Sequence, residues 1–284
     1  MELLPFKKFF HRMIGRQSVA GLEVTDMAVR FAIRQDEGWT LTGLRMPPGV
    51  MDKGKLLDRD RFLDGLKRLR ASISSKHNSK IPVVITISSS PVYTQVLSLP
   101  SVGEKDFAQA LDLNLKMISP GEPGKSYIGQ QMLSGFEEGP KVDVLAAFIS
   151  REIMDPIATC AREAGFLPVA AEAKSMSFAR LVKDLAADYS PAQAVVVVAL
   201  DVDGINSLVV RNGKPYFDYA VSWSELHEEE KDITGPKFAA MMARTVSLVL
   251  NYYRQHWQEP PITVVLVAAG TVTGRIVEVL SGAF

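Results

Sequence analysis

Cysteine is nearly absent: Cys160 is the only one in 284 residues. A lone thiol excludes an intrachain disulfide framework, and with no second cysteine or histidine beside it in the chain it begins no thiolate metal site. Its place in the helical pattern REIMDPIATCAREAG marks it as a packing residue in a reducing compartment. Histidine is scarce too, and His11, His77, His227 and His256 are scattered without ligand spacing. A net excess of either charge is missing, since 32 Lys and Arg balance 32 Asp and Glu, so nothing points to nucleic acid. No apolar run approaches the roughly 20 residues of a membrane-spanning helix. The longest, AVVVVAL at 194–200, is strand-sized. Lys7, Lys8, His11 and Arg12 interrupt the segment that a secretory signal would keep apolar, and the serines of ISSSP (87–91) lack a Gly-x-Ser-x-Gly elbow. A cytoplasmic globular protein of about two domains is the expectation.

The first 17 residues carry Phe6, Phe9, Phe10, Met13 and Ile14 at helical spacing, with Lys7, Lys8, Arg12 and Arg16 on the other side. Such a basic amphipathic helix packs on its own domain, lies on an anionic membrane surface or docks in a partner's groove. From residue 18 the period becomes that of strands. VAGLEV, AVRFAIR and GWTLTGLR predict a three-strand meander, followed by a helix capped by Asp58 with Phe62, Leu66 and Leu69 on one face, and a buried strand IPVVITI. Residues 89–166 predict strand, helix, two strands and helix, with Ser101 and Glu104 at capping-box spacing. A helix is expected over 171–187.

A repeat then emerges. VVALDVDGINSLVVRNGKPYF (197–217) parallels VAGLEVTDMAVRFAIRQDEGW (19–39), with Leu22, Glu23 and Val24 matching Leu200, Asp201 and Val202. Two acid-bearing strand–turn–strand units at the start of two halves predict a duplicated fold. The second unit runs on into a long helix from Pro236 to about His256 and a strand ITVVLVA.

These hairpins, with LRMPPGVMDKGKLLDRDRFLDGLKRLR, VVITISSSPVYTQVLSLPSVGEKDFAQAL and VLAAFISREIMDPIATCAREAGFLPVAAEAKSMSFARL, resemble the PilM family of type IV pilus assembly. That family lies within the actin-like ATPase superfamily and is related to the division protein FtsA. The resemblance spans about residues 18–280. It implies an α/β protein of duplicated actin-like, ribonuclease H-like halves with a small α+β module inserted in the first. Residues 18–88 plus 167–190 would be the first subdomain, 89–166 the inserted module and 191–284 the second half. It further implies a cytoplasmic scaffold at the inner-membrane pilus platform that holds the N-terminal cytoplasmic peptide of the membrane protein PilN. Other members of that platform would be partners, with possible membrane-surface contact through residues 1–17. Two alternatives accompany it: an active ATPase or kinase of the same superfamily, and the related cytoplasmic component of a type II secretion platform. The chain ends at VEVLSGAF before an expected closing strand, which points to truncation or a departure from the family.

The same resemblance marks a nucleotide site for ATP at Glu23, Thr25, Asp26, Asp201, Asp203, Gly204, Ser207 and Gly270, with Mg held by Glu23 and Asp201 if nucleotide binds. Phosphate-cradling turns need glycine, whose missing Cβ lets backbone amides approach the ligand. Here the first turn reads Glu23-Val24-Thr25-Asp26 with Arg30 on the next strand. Asp203 stands in the second turn's glycine place, and the adenosine turn reads Ala268-Ala269-Gly270-Thr271. Like charges about 4 Å apart repel by roughly 1 kcal/mol in water and roughly 4 at an effective dielectric of 20, so Asp26 and Asp203 oppose a triphosphate. A degenerate site that binds nucleotide weakly or not at all is the expectation, with Glu23 and Asp26 as solvated turn acids.

Overall fold

The computed structural model describes residues 18–35, 38–73, 80–122, 124–136, 138–185, 193–201, 203–223, 225–226 and 235–257, together with the backbone of 262–268. The amphipathic segment with Phe6, Phe9, Phe10, Met13 and Ile14 lies outside these, as do Gly270 and three of the histidines, His11, His77 and His227.

The predicted meander forms as β1 (Ala20–Val24), β2 (Ala28–Gln35) and β3 (Gly38–Arg45). The two-residue period buries Ala20, Leu22 and Val24 and turns Glu23 to the other face. After the short pair β4 (Met51–Asp52) and β5 (Lys55–Leu56) comes α1 (Arg59–Ser72). Asp58 caps it, its carboxylate accepting from the Arg61 amide at 3.0 Å. Phe62, Leu66 and Leu69 face inward on one stripe, each burial stabilising by about 1.5–3 kcal/mol. The apolar run IPVVITI is β6 (Ile81–Ile87), parallel to β1.

An antiparallel sheet follows, built from β7 (Tyr93–Pro100), β8 (Ser126–Met132) and β9 (Lys141–Ser150) in the order β7-β9-β8. Helix α2 (Glu104–Ile118) lays Phe107, Leu111 and Leu115 on Leu97, Leu99, Val142, Val144 and Phe148. The expected capping box does not form. Gly103 is the N-cap, and the Ser101 hydroxyl instead donates to the Phe136 carbonyl at 2.9 Å, because a nearby loop carbonyl is the better-placed acceptor. Helix α3 (Arg151–Glu163), capped by Ser150, buries Met154, Ile157 and Cys160 in the core of the first sheet rather than against α2.

The helix expected over 171–187 starts later. Strand β10 (Phe166–Ala173) pairs in parallel with β6, and α4 (Lys174–Leu185) begins only at Lys174. FLPVAAEA is poor in β-branched residues, and pairing with β6 overrides its weak strand propensity. The first sheet thus reads β10-β6-β1-β2-β3.

The second half holds β11 (Ala194–Asp201), β12 (Gly204–Arg211), β13 (Lys214–Ser222), α5 (Gly235–His256) and β14 (Ile262–Ala268), in the order β13-β12-β11-β14. Strand β11 is antiparallel to β12 and parallel to β14, just as β1 is to β2 and β6, so the repeat is one of topology. Val196 and Val198 pack with Met242, Val246 and Val249 of α5, whereas Val195 and Val197 pack with Ala179 and Val182 of α4. Cover on both faces explains why this strand is a continuous apolar run.

Candidate functional site

Parallel strands β1, β6 and β10 end side by side, and β11 ends opposite them; in open α/β sheets the carboxyl ends of strands are where ligands are held. Glu23 comes from β1 and Asp201 is the last residue of β11, so the two matched acids of the repeat face one another across the cleft.

Two cations stand between them. Arg30, directly cross-strand from Glu23, donates from Nη1 to Glu23 Oε2 at 2.6 Å and to Asp201 Oδ2 at 3.1 Å, and from Nη2 to Asp201 Oδ1 at 2.8 Å. Lys174, the first residue of α4, places Nζ 2.9 Å from Glu23 Oε1 and also pairs with Asp201 Oδ2. All four carboxylate oxygens are therefore engaged by cations of the chain itself. Lys174 is the most buried member, its side chain 10% exposed against 21% for each acid. Burial by itself would lower its ammonium pKa, but Glu23 and Asp201 outweigh that and hold it above the ordinary value. Hydrogen bonding to Asp201, then to Glu23, likewise raises Arg30.

The first turn closes on itself through Thr25. The Thr25 amide donates to the Ala28 carbonyl at 2.9 Å, and the Thr25 hydroxyl both donates to that carbonyl and accepts from the Ala28 amide, each at 3.0 Å. Nor are Glu23 and Asp26 solvated turn acids. Glu23 is paired twice, and half-buried Asp26 accepts from the Gly54 amide at 2.8 Å, with burial pushing its carboxyl up. Asp203 has both carboxylate oxygens buried with no hydrogen-bond partner at ordinary distance among the described residues, and burial, only partly offset by Lys174 and the nearby Thr25 hydroxyl, pushes its pKa up to about 6. Gly204 sits at φ +150°, where an added Cβ would lie 2.0 Å from the Val221 carbonyl oxygen. Its role is close strand packing. Ser207 lies wholly buried inside β12 and does not reach the cleft.

The cavity at this joint is about 50 Å³ and is lined by Asp26, Lys53, Lys174, Asp201, Asp203 and Asn206 together with Ser88, Ser89 and Ser90. That is room for a few waters, against roughly 300–1,000 Å³ for a small-molecule site. Ser89, from the serine-rich turn, accepts a 2.8 Å hydrogen bond from Asn206 Nδ2 and so helps tie the halves. Sequence reading missed Lys174. The available signal was a solitary cation among alanines at the start of a helix, where the dipole disfavours positive charge and a lysine needs anions nearby.

A second concavity, about 550 Å³, opens at the inserted sheet between the turn Ser90–Tyr93, the loop from Pro120 to Ser126, and the end of β9 at Phe148 and Ser150. It combines apolar Pro91, Val92, Pro120 and half-exposed Tyr93 with the opposed charges of Glu122 and Lys125.

No family model and no curated protein matches this chain. Among solved structures it is similar to the PilM–PilN type IV pilus biogenesis complex, with a TM-score of 0.69 at 17% identity over 94% of this chain and 86% of that one. Two others are a Bacteroides thetaiotaomicron protein of actin-like ATPase fold and unknown function, and the cytoplasmic domain of EpsL, an inner-membrane component of the Vibrio cholerae type II secretion system. The first has a TM-score of 0.46 at 10% identity, over 99% and 91% of the chains; the second, 0.48 at 10%, over 94% and 95%. The chain has the actin-like fold.

Proposed function

We propose that this protein is a scaffold of a type IV pilus assembly platform, working at the cytoplasmic face of the inner membrane, that holds an extended PilN-like peptide in the groove of its inserted sheet. The observation that carries the reading is that groove. It is the size of a ligand site, lined by apolar Pro91, Val92 and Pro120 beside the ion pair of Lys125 with Glu122, on a fold like that of the chain in the PilM–PilN complex. The cleft between the halves supports a joint rather than an enzyme. Magnesium would need carboxylate oxygens that Arg30 and Lys174 already occupy, and the Thr25 and Ala28 amides of the first turn are bonded within the turn rather than offered to a phosphate. The residues present do not suit magnesium nucleotide.

Fluorescence anisotropy with a labelled N-terminal peptide of the PilN-like membrane protein tests the reading. The wild type should bind, and Tyr93→Ala should weaken binding by about tenfold while lowering Tm by only a few degrees through its lost ring contact with Phe148, since an exposed aromatic at a groove contributes on the order of 1–2 kcal/mol. Equal affinity in both proteins would exclude the groove as the peptide site. Capture of a type II secretion peptide instead would reassign the platform. Binding of fluorescent ATP with magnesium, lost in Glu23→Ala and Asp201→Ala, would establish the enzyme alternative.

A further inference from the structure

The cleft acids meet in a geometry that would bring two carboxylates into costly repulsion if nothing lay between them. What lies between them is specific. Each cation touches both acids, and each acid touches both cations. Glu23, Arg30 and Lys174 belong to the first half and Asp201 to the second, so the lattice crosses the joint. Lys174 reaches it from the N-terminus of α4, whose buried face packs on the second sheet. The cationic end of that helix and its ammonium both point toward Glu23 and Asp201.

We propose that Lys174 is the built-in occupant of a cation site between the two halves: its ammonium takes the position where a divalent ion would otherwise bridge Glu23 and Asp201, and so closes the cleft without a ligand. The proposal rests on reading the cleft as a joint rather than a nucleotide pocket. It goes further by assigning the closure to one residue and by stating what its removal creates. Without the Lys174 amine, Glu23 Oε1 loses that contact and Asp201 Oδ2 loses one of its two cation contacts, while Arg30 keeps Glu23 Oε2, Asp201 Oδ1 and, at 3.1 Å, Asp201 Oδ2. Two carboxylate oxygens from opposite walls, completed by water, are a donor set that magnesium or manganese accepts.

Thermal unfolding of the full chain in EDTA, in about 5 mM MgCl2 or MnCl2, and in NaCl of matched ionic strength reads this out, since a bound ion raises Tm by mass action, about 2–4 °C per kcal/mol for a domain of this size. The wild type should respond to the divalent salts no more than to NaCl. Lys174→Ala should melt lower in EDTA and recover several degrees in the divalent salts only, and the recovery should vanish in Lys174→Ala/Asp201→Asn. If the alanine variant does not fold, Lys174→Gln keeps the volume without the charge and should show the same selective recovery. A wild type stabilised by magnesium alone, or charge-removed variants with no divalent-specific recovery, would overturn the proposal. Stabilisation of the wild type by Mg–ATP but not by magnesium alone would instead overturn the joint reading, so the two failures are distinguishable.

Discussion

At the scale of single residues, the burial of Asp203 has a consequence that pH reads directly. Its two buried oxygens have no hydrogen-bond partner at ordinary distance among the described residues, so the charged form carries a desolvation penalty and the folded pKa rises from an ordinary 3.8 to about 6. Between those values the folded state holds more protons than the unfolded chain, so this group makes stability fall as pH rises through that window. Asp203→Asn keeps the shape and removes the charge. The variant should match the wild type near pH 4 and exceed it by about 1–3 kcal/mol near pH 8 in urea unfolding, because each tenfold change in proton affinity between the two states is worth roughly 1.4 kcal/mol. Equal stabilities at both pH values would mean that water or an ion already satisfies the carboxylate.

At the scale of elements, the hairpin of β11 and β12 shows what a phosphate-loop reading hides. Gly204 looks like a displaced cradle glycine, yet its missing Cβ makes room for the backbone of β13. Gly204→Ala must either move the Val221 carbonyl or leave the positive φ, and should cost about 2–3 kcal/mol by urea midpoint while leaving peptide affinity unchanged. A loss below about 0.5 kcal/mol, within the range of an ordinary surface change, would show that β13 yields freely there. Most elements were legible because each writes its own period: β1 to β3 in alternation, α1 in its Asp58 cap and apolar stripe, β11 in a run buried on both faces. The misses share one cause. Strand β10 exists because β6 offers a partner, and Ser101 turns from its helix because Phe136 offers a carbonyl. Glu23 and Asp201 were readable as a pair through the repeat. Lys174 was not, since an ion pair across the fold leaves no local pattern.

At the scale of the molecule, the hydrophobic cores do not follow the order of the chain. Helix α3 leaves the inserted segment to fill the first core, while Leu133 and Leu145 of the inserted sheet join Tyr216, Val249 and Tyr253 in the core of the second half. Trp257 fastens this union. Its ring lies 5.2 Å from that of Tyr216 and 5.5 Å from that of Tyr253, and its Nε1 donates to Asp143 Oδ2 at 3.0 Å. Tyr216 Oη and Lys214 Nζ reach the Leu133 carbonyl from the same side. Removing the indole deletes the ring contacts and leaves the Asp143 oxygen without that donor, so Trp257→Ala should cost about 3 kcal/mol. The loss should also be shared. Hydrogen exchange should accelerate together in β8, β9 and the last turns of α5, while β1, β2 and β6, packed in the other core, stay protected. Acceleration confined to the end of α5 would mean that the inserted sheet is only leaning on the second half. Concerted loss would make the two one mechanical unit, so that a peptide held at the groove of the inserted sheet pulls on the half that carries Asp201.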